Sequence, residues 1–106
     1  MVLTRDFKVT LKARADADPA FRAALLSDAV KLLLSCDLDT GKAVLRSFIN
    51  ATVGFESLAA LSGIPTKSLM RMFGPKGNPT AASLFTVISS LQKATGVQLE
   101  VTADTA

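Results

Sequence analysis

The chain has 106 residues, of which 49% are hydrophobic and 20% charged, and its formal net charge is +3. This length and composition are those of an ordered globular chain, and we expect one domain over residues 1–106. The sequence contains no histidine and one cysteine, Cys36, which excludes an intrachain disulfide, a zinc site of nitrogen and sulfur ligands, and catalysis by a nucleophile–histidine pair. Because no glycine-rich phosphate loop is present either, we expect no enzyme and no cofactor.

Neither the first residues nor the most apolar stretch of the chain has the pattern of a targeting signal. The first residues are too polar for a signal peptide, and Asp28 and Lys31 interrupt the most apolar stretch, so we expect a cytoplasmic protein without a membrane partner. Cys36 follows three consecutive leucines and is interpreted as a small buried hydrophobic residue.

Capping signals divide residues 1–53 into three predicted helices, which we interpret as scaffold or as an interaction surface. The first is expected from about Thr4 to Ala15. Asp18, followed by a proline, predicts the start of the second helix, because a carboxylate accepts from free N–H groups and proline fits the first turn. Asp37 predicts the start of the third helix, and Gly54 predicts its end.

The second half of the chain, residues 54–101, predicts three more helices and a strand. Two short helices are expected over 55–61 and 66–73, and a longer one opens at Asn78 and closes after Thr95. Apolar and polar residues alternate over 97–101, which predicts a short half-buried strand. That strand would either pair with a partner chain or fold back on its own. The predicted fold class is all-α, a compact helical domain with a helix-turn-helix and a short C-terminal β-strand.

The two short helices meet the requirements of a helix-turn-helix, in which the second helix enters the DNA major groove. Ala59 is the small residue needed where the helices cross, and Gly63, four residues later, suits a turn with positive φ. Ile64, Leu69 and Met72 are the apolar residues that would hold the second helix against the first.

The charge distribution favours a polyanionic partner. Residues 1–56 carry eight basic and seven acidic groups, whereas 57–99 contain no acid. Nothing in that window repels phosphate, and four cations lie within it: Lys67, Arg71, Lys76 and Lys93.

Six residues are candidates for DNA contact, four on the outer face of the second helix and two in the linker after it: Thr66, Lys67, Met70, Arg71, Lys76 and Asn78. Arg71 can donate two hydrogen bonds to a guanine edge, and Lys67 suits a phosphate or a base. Three of the six candidates have an alternative interpretation. Arg71 could be a solvated surface residue, Met70 a core or dimer residue, and Asn78 a helix cap only.

The second half of the chain resembles a known family. The pattern of Leu58-Ala59, Gly63-Ile64 and Leu69 resembles the phage-repressor (Xre-type) helix-turn-helix. The continuation is similar to the addiction-module antidote (antitoxin) branch of those regulators, over Lys67-Ser68-Leu69-Met70-Arg71-Met72-Phe73-Gly74-Pro75, Gly77-Asn78-Pro79 and Leu84. The resemblance covers roughly Gly54 to Val101.

The resemblance implies a small transcriptional regulator that represses its own operon. Many members bind and silence a ribonuclease-type toxin encoded beside them. We expect a homodimer on a palindromic double-stranded DNA operator, with a cognate toxin protein as a further partner. The alternative is a protein-interaction module that neutralises a toxin with little or no DNA binding, since fold does not fix function.

Three residues depart from the family pattern. Pro65 stands where a Ser or Thr usually caps the recognition helix, so that the cap must differ. Leu61 occupies a normally polar position, and we expect the N-terminal helices to cover it. Glu56 stands where a Gln often contacts phosphate, and a carboxylate there repels the DNA backbone.

Overall fold

The computed structural model describes residues 5–105, and over this range the chain forms six α-helices without a β-strand. The predicted starting point of the first helix, Thr4, lies outside the described residues. The helices are α1 (Arg5–Ala17), α2 (Pro19–Leu34), α3 (Leu38–Ala51), α4 (Gly54–Ser62), α5 (Thr66–Met72) and α6 (Ala81–Thr95).

Two of the predicted helix starts are confirmed by their hydrogen bonds. Asp18 Oδ1 accepts from the backbone N–H groups of Ala20 at 3.0 Å and Phe21 at 3.2 Å, and α2 begins at the next residue. Asp37 Oδ1 accepts from the N–H of Thr40 at 3.4 Å at the start of α3. Short acidic side chains here satisfy N–H groups that the first turn leaves unpaired.

The start of the last helix differs from the prediction. It begins at Ala81 instead of Asn78, and its cap is Thr80, whose Oγ1 accepts from the N–H of Ser83 at 3.1 Å. Asn78 precedes a proline, which disfavours helical backbone at that position. The predicted end of α6 is confirmed, because Gly96 has a left-handed φ of 69°.

Cys36 is exposed, so the prediction of a buried cysteine is wrong. Helix α2 ends at Leu34, and Cys36 lies in the reversal that follows, with a φ of 63°. Its N–H donates to the carbonyl of Leu33 at 3.1 Å, and the N–H of Asp37 donates to that of Leu32 at 3.0 Å. These are the backbone bonds of a helix C-terminus closed by a left-handed residue, and they turn the side chain away from the core.

One hydrophobic cluster joins five of the helices. Helices α2 and α3 pack along each other, and α4 contacts α3, α5 and α6. Fully buried side chains from each of the five helices belong to this cluster: Leu26, Phe48, Leu58, Leu69 and Leu91. The surface that carries α4 and α5 is therefore built on the same core as the N-terminal helices.

Helix α1 packs against α2 and α3 at the edge of this cluster. Arg22 Nη1 donates to the carbonyl of Ala15 at 2.7 Å, near the end of α1 where carbonyls lack helical partners. The guanidinium of Arg14 lies 4.5 Å from the centre of the Phe21 ring, in a cation–π contact. Two arginines therefore fasten α1 to α2.

The predicted C-terminal strand is wrong. Val97 is buried, and the N–H of Leu99 donates to Gln92 Oε1 at 2.9 Å, whereas Val101 is 94% exposed. A strand needs a second strand with which to exchange backbone hydrogen bonds, and no part of residues 5–105 supplies one. The alternation over 97–101 thus reflects a segment that buries Val97 and partly buries Leu99 against the core without forming a strand.

Among the helices of residues 5–105, none is long and apolar enough to cross a membrane.

Candidate nucleic-acid interface

The turn between α4 and α5 depends on the backbone of Gly63. Its φ is 74° and its ψ is 9°, and its N–H donates to the carbonyl of Ala59 at 3.0 Å. A Cβ atom there would meet nothing within 4 Å, so that the glycine is needed for its left-handed conformation and not for space. The N–H of Ile64 then donates to Ser62 Oγ at 3.2 Å, which fixes the exit from the turn.

Helix α5 begins without a side-chain cap. Pro65 is the N-cap residue, with φ −57° and ψ 144°, and its carbonyl accepts from the N–H of Leu69 at 3.0 Å. Proline lacks a side-chain acceptor, so the first N–H groups of α5 receive no side-chain hydrogen bond. The expectation of an altered cap at this position is confirmed.

The inner side of α5 is held by apolar contacts, as predicted. Leu69 is fully buried in the core cluster, and Ile64 and Met72 are partly buried against it. The rings of Phe55 and Phe73 have their centres 6.5 Å apart at an interplanar angle of 49°, and this pair joins the start of α4 to the end of α5. The orientation of α5 is set from both of its ends.

The outer side of α5 presents cations that interact with no described residue. Lys67 and Arg71 are exposed and lie one helical turn apart, on the same side of the helix. Neither forms a hydrogen bond or an ion pair with any of residues 5–105. Met70 is 48% exposed between them, so that the alternative of a core residue is wrong, and Thr66 is half-buried.

After α5 the chain makes a tight turn, Gly74-Pro75-Lys76-Gly77, which is closed by the N–H of Gly77 donating to the carbonyl of Gly74 at 3.1 Å. A Cβ at Gly77 would overlap the carbonyl oxygens of Arg71 and Met72, so the turn lies directly on the end of α5. Lys76 and the following Asn78 are exposed. Since Thr80 caps α6, the alternative of Asn78 as a helix cap is wrong.

Sequence reasoning did not single out Lys42, which is buried in α3 with 7% of its surface exposed. Its Nζ donates to the carbonyls of Gly77 at 2.6 Å and Gly74 at 3.3 Å. The signal was present in the helical period, because Lys42 stands three and seven residues before the buried Leu45 and Ile49. A lysine on an apolar helix face needs polar partners, and here they come from the turn.

Helix α4 carries two further exposed residues, one acidic and one apolar. Glu56 is exposed in the first turn of α4. Leu61 is 56% exposed, so the expectation that the N-terminal helices cover it is wrong. Of the N-terminal helices, α3 contacts α4, and this packing leaves the outer side of α4 exposed.

Comparison of the chain with protein-family models, with curated proteins and with solved structures gives no match.

Proposed function

We propose that this chain is a sequence-specific DNA-binding regulator in which α4 and α5 form a helix-turn-helix and α5 is the recognition helix. One observation supports this most directly: α5 buries Leu69 in the core while Lys67 and Arg71 project from its opposite side without partners among residues 5–105. Exposed cations on a rigidly held helix, in a region without acids, suit the phosphates and base edges of a duplex.

The proposed contacts follow the chemistry of each side chain. Arg71 donates two hydrogen bonds to a guanine edge, and Lys67 contacts phosphate. Met70 offers an apolar surface to a thymine methyl group. Thr66 contacts either a phosphate through its hydroxyl or a thymine through its methyl group. Lys76 and Asn78 contact the DNA backbone from the turn after α5.

We further propose that the chain acts as a homodimer and as an antitoxin that represses its own operon. Two-fold symmetry would set the half-sites of a palindromic operator about 34 Å apart. The antitoxin role is supported by the resemblance over Lys67 to Pro79, and the partner would be a toxin encoded by the neighbouring reading frame.

Two substitutions separate base contact from phosphate contact. Arg71→Ala is expected to weaken binding to the operator more than to random DNA, by about 1–3 kcal/mol of discrimination. Lys67→Ala is expected to weaken both and to lower the slope of log K against log salt by about one unit. The measurement is a mobility shift titrated with salt, with Lys31→Ala, an exposed cation of α2, as the charge-matched control. Equal and negligible effects of Arg71→Ala and Lys67→Ala would contradict the proposal.

A second candidate function is a protein-interaction module that silences a toxin without tight DNA binding. The exposed carboxylate of Glu56 favours it, because this charge repels phosphate near the proposed interface. Leu34 and Leu38 are 76% and 50% exposed at the corner between α2 and α3, and they offer apolar contact area to a protein. Co-purification with the neighbouring gene product, together with failure to bind the upstream DNA at low salt, would favour this candidate over the first.

A further inference from the structure

We propose that Lys42 is a positioning residue for the DNA contact made by Lys76, because it fastens the Gly74–Gly77 turn to α3. The inference rests on the proposed DNA binding and extends it to a residue that does not itself face the duplex. It links the N-terminal helices to the DNA surface by a specific set of hydrogen bonds.

The turn is shaped to display Lys76. Pro75 occupies the second position of the four-residue turn, where its fixed φ suits the chain reversal, and Lys76 follows at the exposed corner. The N–H of Gly77 closes the turn on the carbonyl of Gly74 at 3.1 Å. The same two glycines then present carbonyl oxygens to Lys42.

Lys42 directs its ammonium group at both ends of this turn. The Nζ lies 2.6 Å from the Gly77 oxygen and 3.3 Å from the Gly74 oxygen, and only 9% of its side chain is exposed. Asp39 is the nearest carboxylate, at 3.8 Å, but its own side chain is 94% exposed and therefore screened by water. The turn carbonyls are the principal partners of a charge that has been removed from solvent.

Two independent constraints thus fix the turn. Gly77 lies on the end of α5, where any Cβ would overlap backbone oxygens, and Lys42 holds the turn from α3. A lysine displayed from a fixed turn loses less conformational freedom on binding phosphate than one displayed from a mobile loop. Without the ammonium group of Lys42, the turn would keep only its contact with the end of α5, and Lys76 would no longer be held where it reaches the phosphate.

The test is a double-mutant cycle on binding to a mixed-sequence DNA duplex, since a phosphate contact does not depend on sequence. Lys76→Ala is expected to lower the salt slope by about one unit, and Lys42→Met is expected to lower it similarly. The double variant should show no further loss, because both changes remove the same contact. Asp39→Asn removes the weak ion pair of Lys42 and keeps its hydrogen bonds to the turn, so this control variant should not lower the slope. Lys67→Ala should add fully to Lys42→Met.

Additive effects of Lys42→Met and Lys76→Ala, or an unchanged slope in Lys42→Met, would overturn the inference while leaving the proposed function intact. A native chain that fails to bind DNA would overturn the proposed function and this role of Lys76 together. Hydrogen exchange of the Gly77 amide in the free chain measures the attachment itself, and faster exchange is expected in Lys42→Met. If that variant does not fold, Lys42→Gln, whose shorter side chain retains an amide donor, replaces it in both measurements.

Discussion

At the scale of single residues, Cys36 has a backbone conformation that its side chain disfavours. Its φ of 63° is the only positive value at a non-glycine position among residues 5–105. A left-handed conformation costs an L-residue about 1–2 kcal/mol, because Cβ approaches the neighbouring carbonyl oxygen. The side chain is exposed and gains no burial in return. The chain reversal between α2 and α3 therefore carries local strain.

Replacing Cys36 by glycine should relieve this strain. Cys36→Gly is expected to raise the free energy of unfolding by about 0.5–1 kcal/mol, less than the full strain, since glycine also gains entropy in the unfolded chain. Urea denaturation under reducing conditions measures the change. Cys36→Ala keeps the Cβ and is the control, with little or no gain expected; equal stabilities of the two variants would show that the conformation is not strained.

At the scale of elements, the helix starts follow from short-range hydrogen bonds, and the start of α6 shows how two candidate caps compete. Asn78 and Thr80 both carry acceptor side chains within three residues of the helix. Only Thr80 accepts from a first-turn N–H, at 3.1 Å from Ser83. The proline between them sets Asn78 apart from the helix and leaves it exposed.

Removal of each side chain should separate the two roles. Thr80→Ala is expected to lower the free energy of unfolding by about 1 kcal/mol, because a first-turn N–H loses its acceptor. Asn78→Ala should change stability by less than about 0.5 kcal/mol, since it removes an exposed side chain without an intramolecular partner among residues 5–105. Thermal unfolding of both variants gives the comparison, and a larger loss in Asn78→Ala would contradict the assignment of the cap.

At the scale of the whole molecule, the shared core predicts that the N-terminal helices and the proposed DNA-binding helices unfold together. Phe48 on α3 is fully buried in the cluster that also contains Leu58 and Leu69. Residues 54–101 would lose the contacts of α3 if they were separated from the first half of the chain. The expectation of one domain is therefore also an expectation of one cooperative transition.

A pair of phenylalanines tests this expectation. Phe48→Ala is expected to lower the free energy of unfolding by about 3–5 kcal/mol, because it leaves a cavity in the common core. Phe85→Ala, at a position that is 65% exposed, should change it by about 0.5 kcal/mol or less. Circular dichroism during denaturation and amide exchange in α5 would give the same free energy of unfolding for each variant. Two separate transitions would indicate two independent units.

Local patterns by themselves determined the helical class, the caps at Asp18 and Asp37, the turn at Gly63 and the apolar side of α5, because each depends on residues a few positions apart. Tertiary structure decided the rest. A strand over 97–101 required a partner strand that residues 5–105 do not provide, and Cys36 was exposed by the direction of the chain reversal. The attachment of Lys42 to Gly77 joins residues 35 positions apart, and no helical period specifies which distant carbonyl a buried ammonium group will meet.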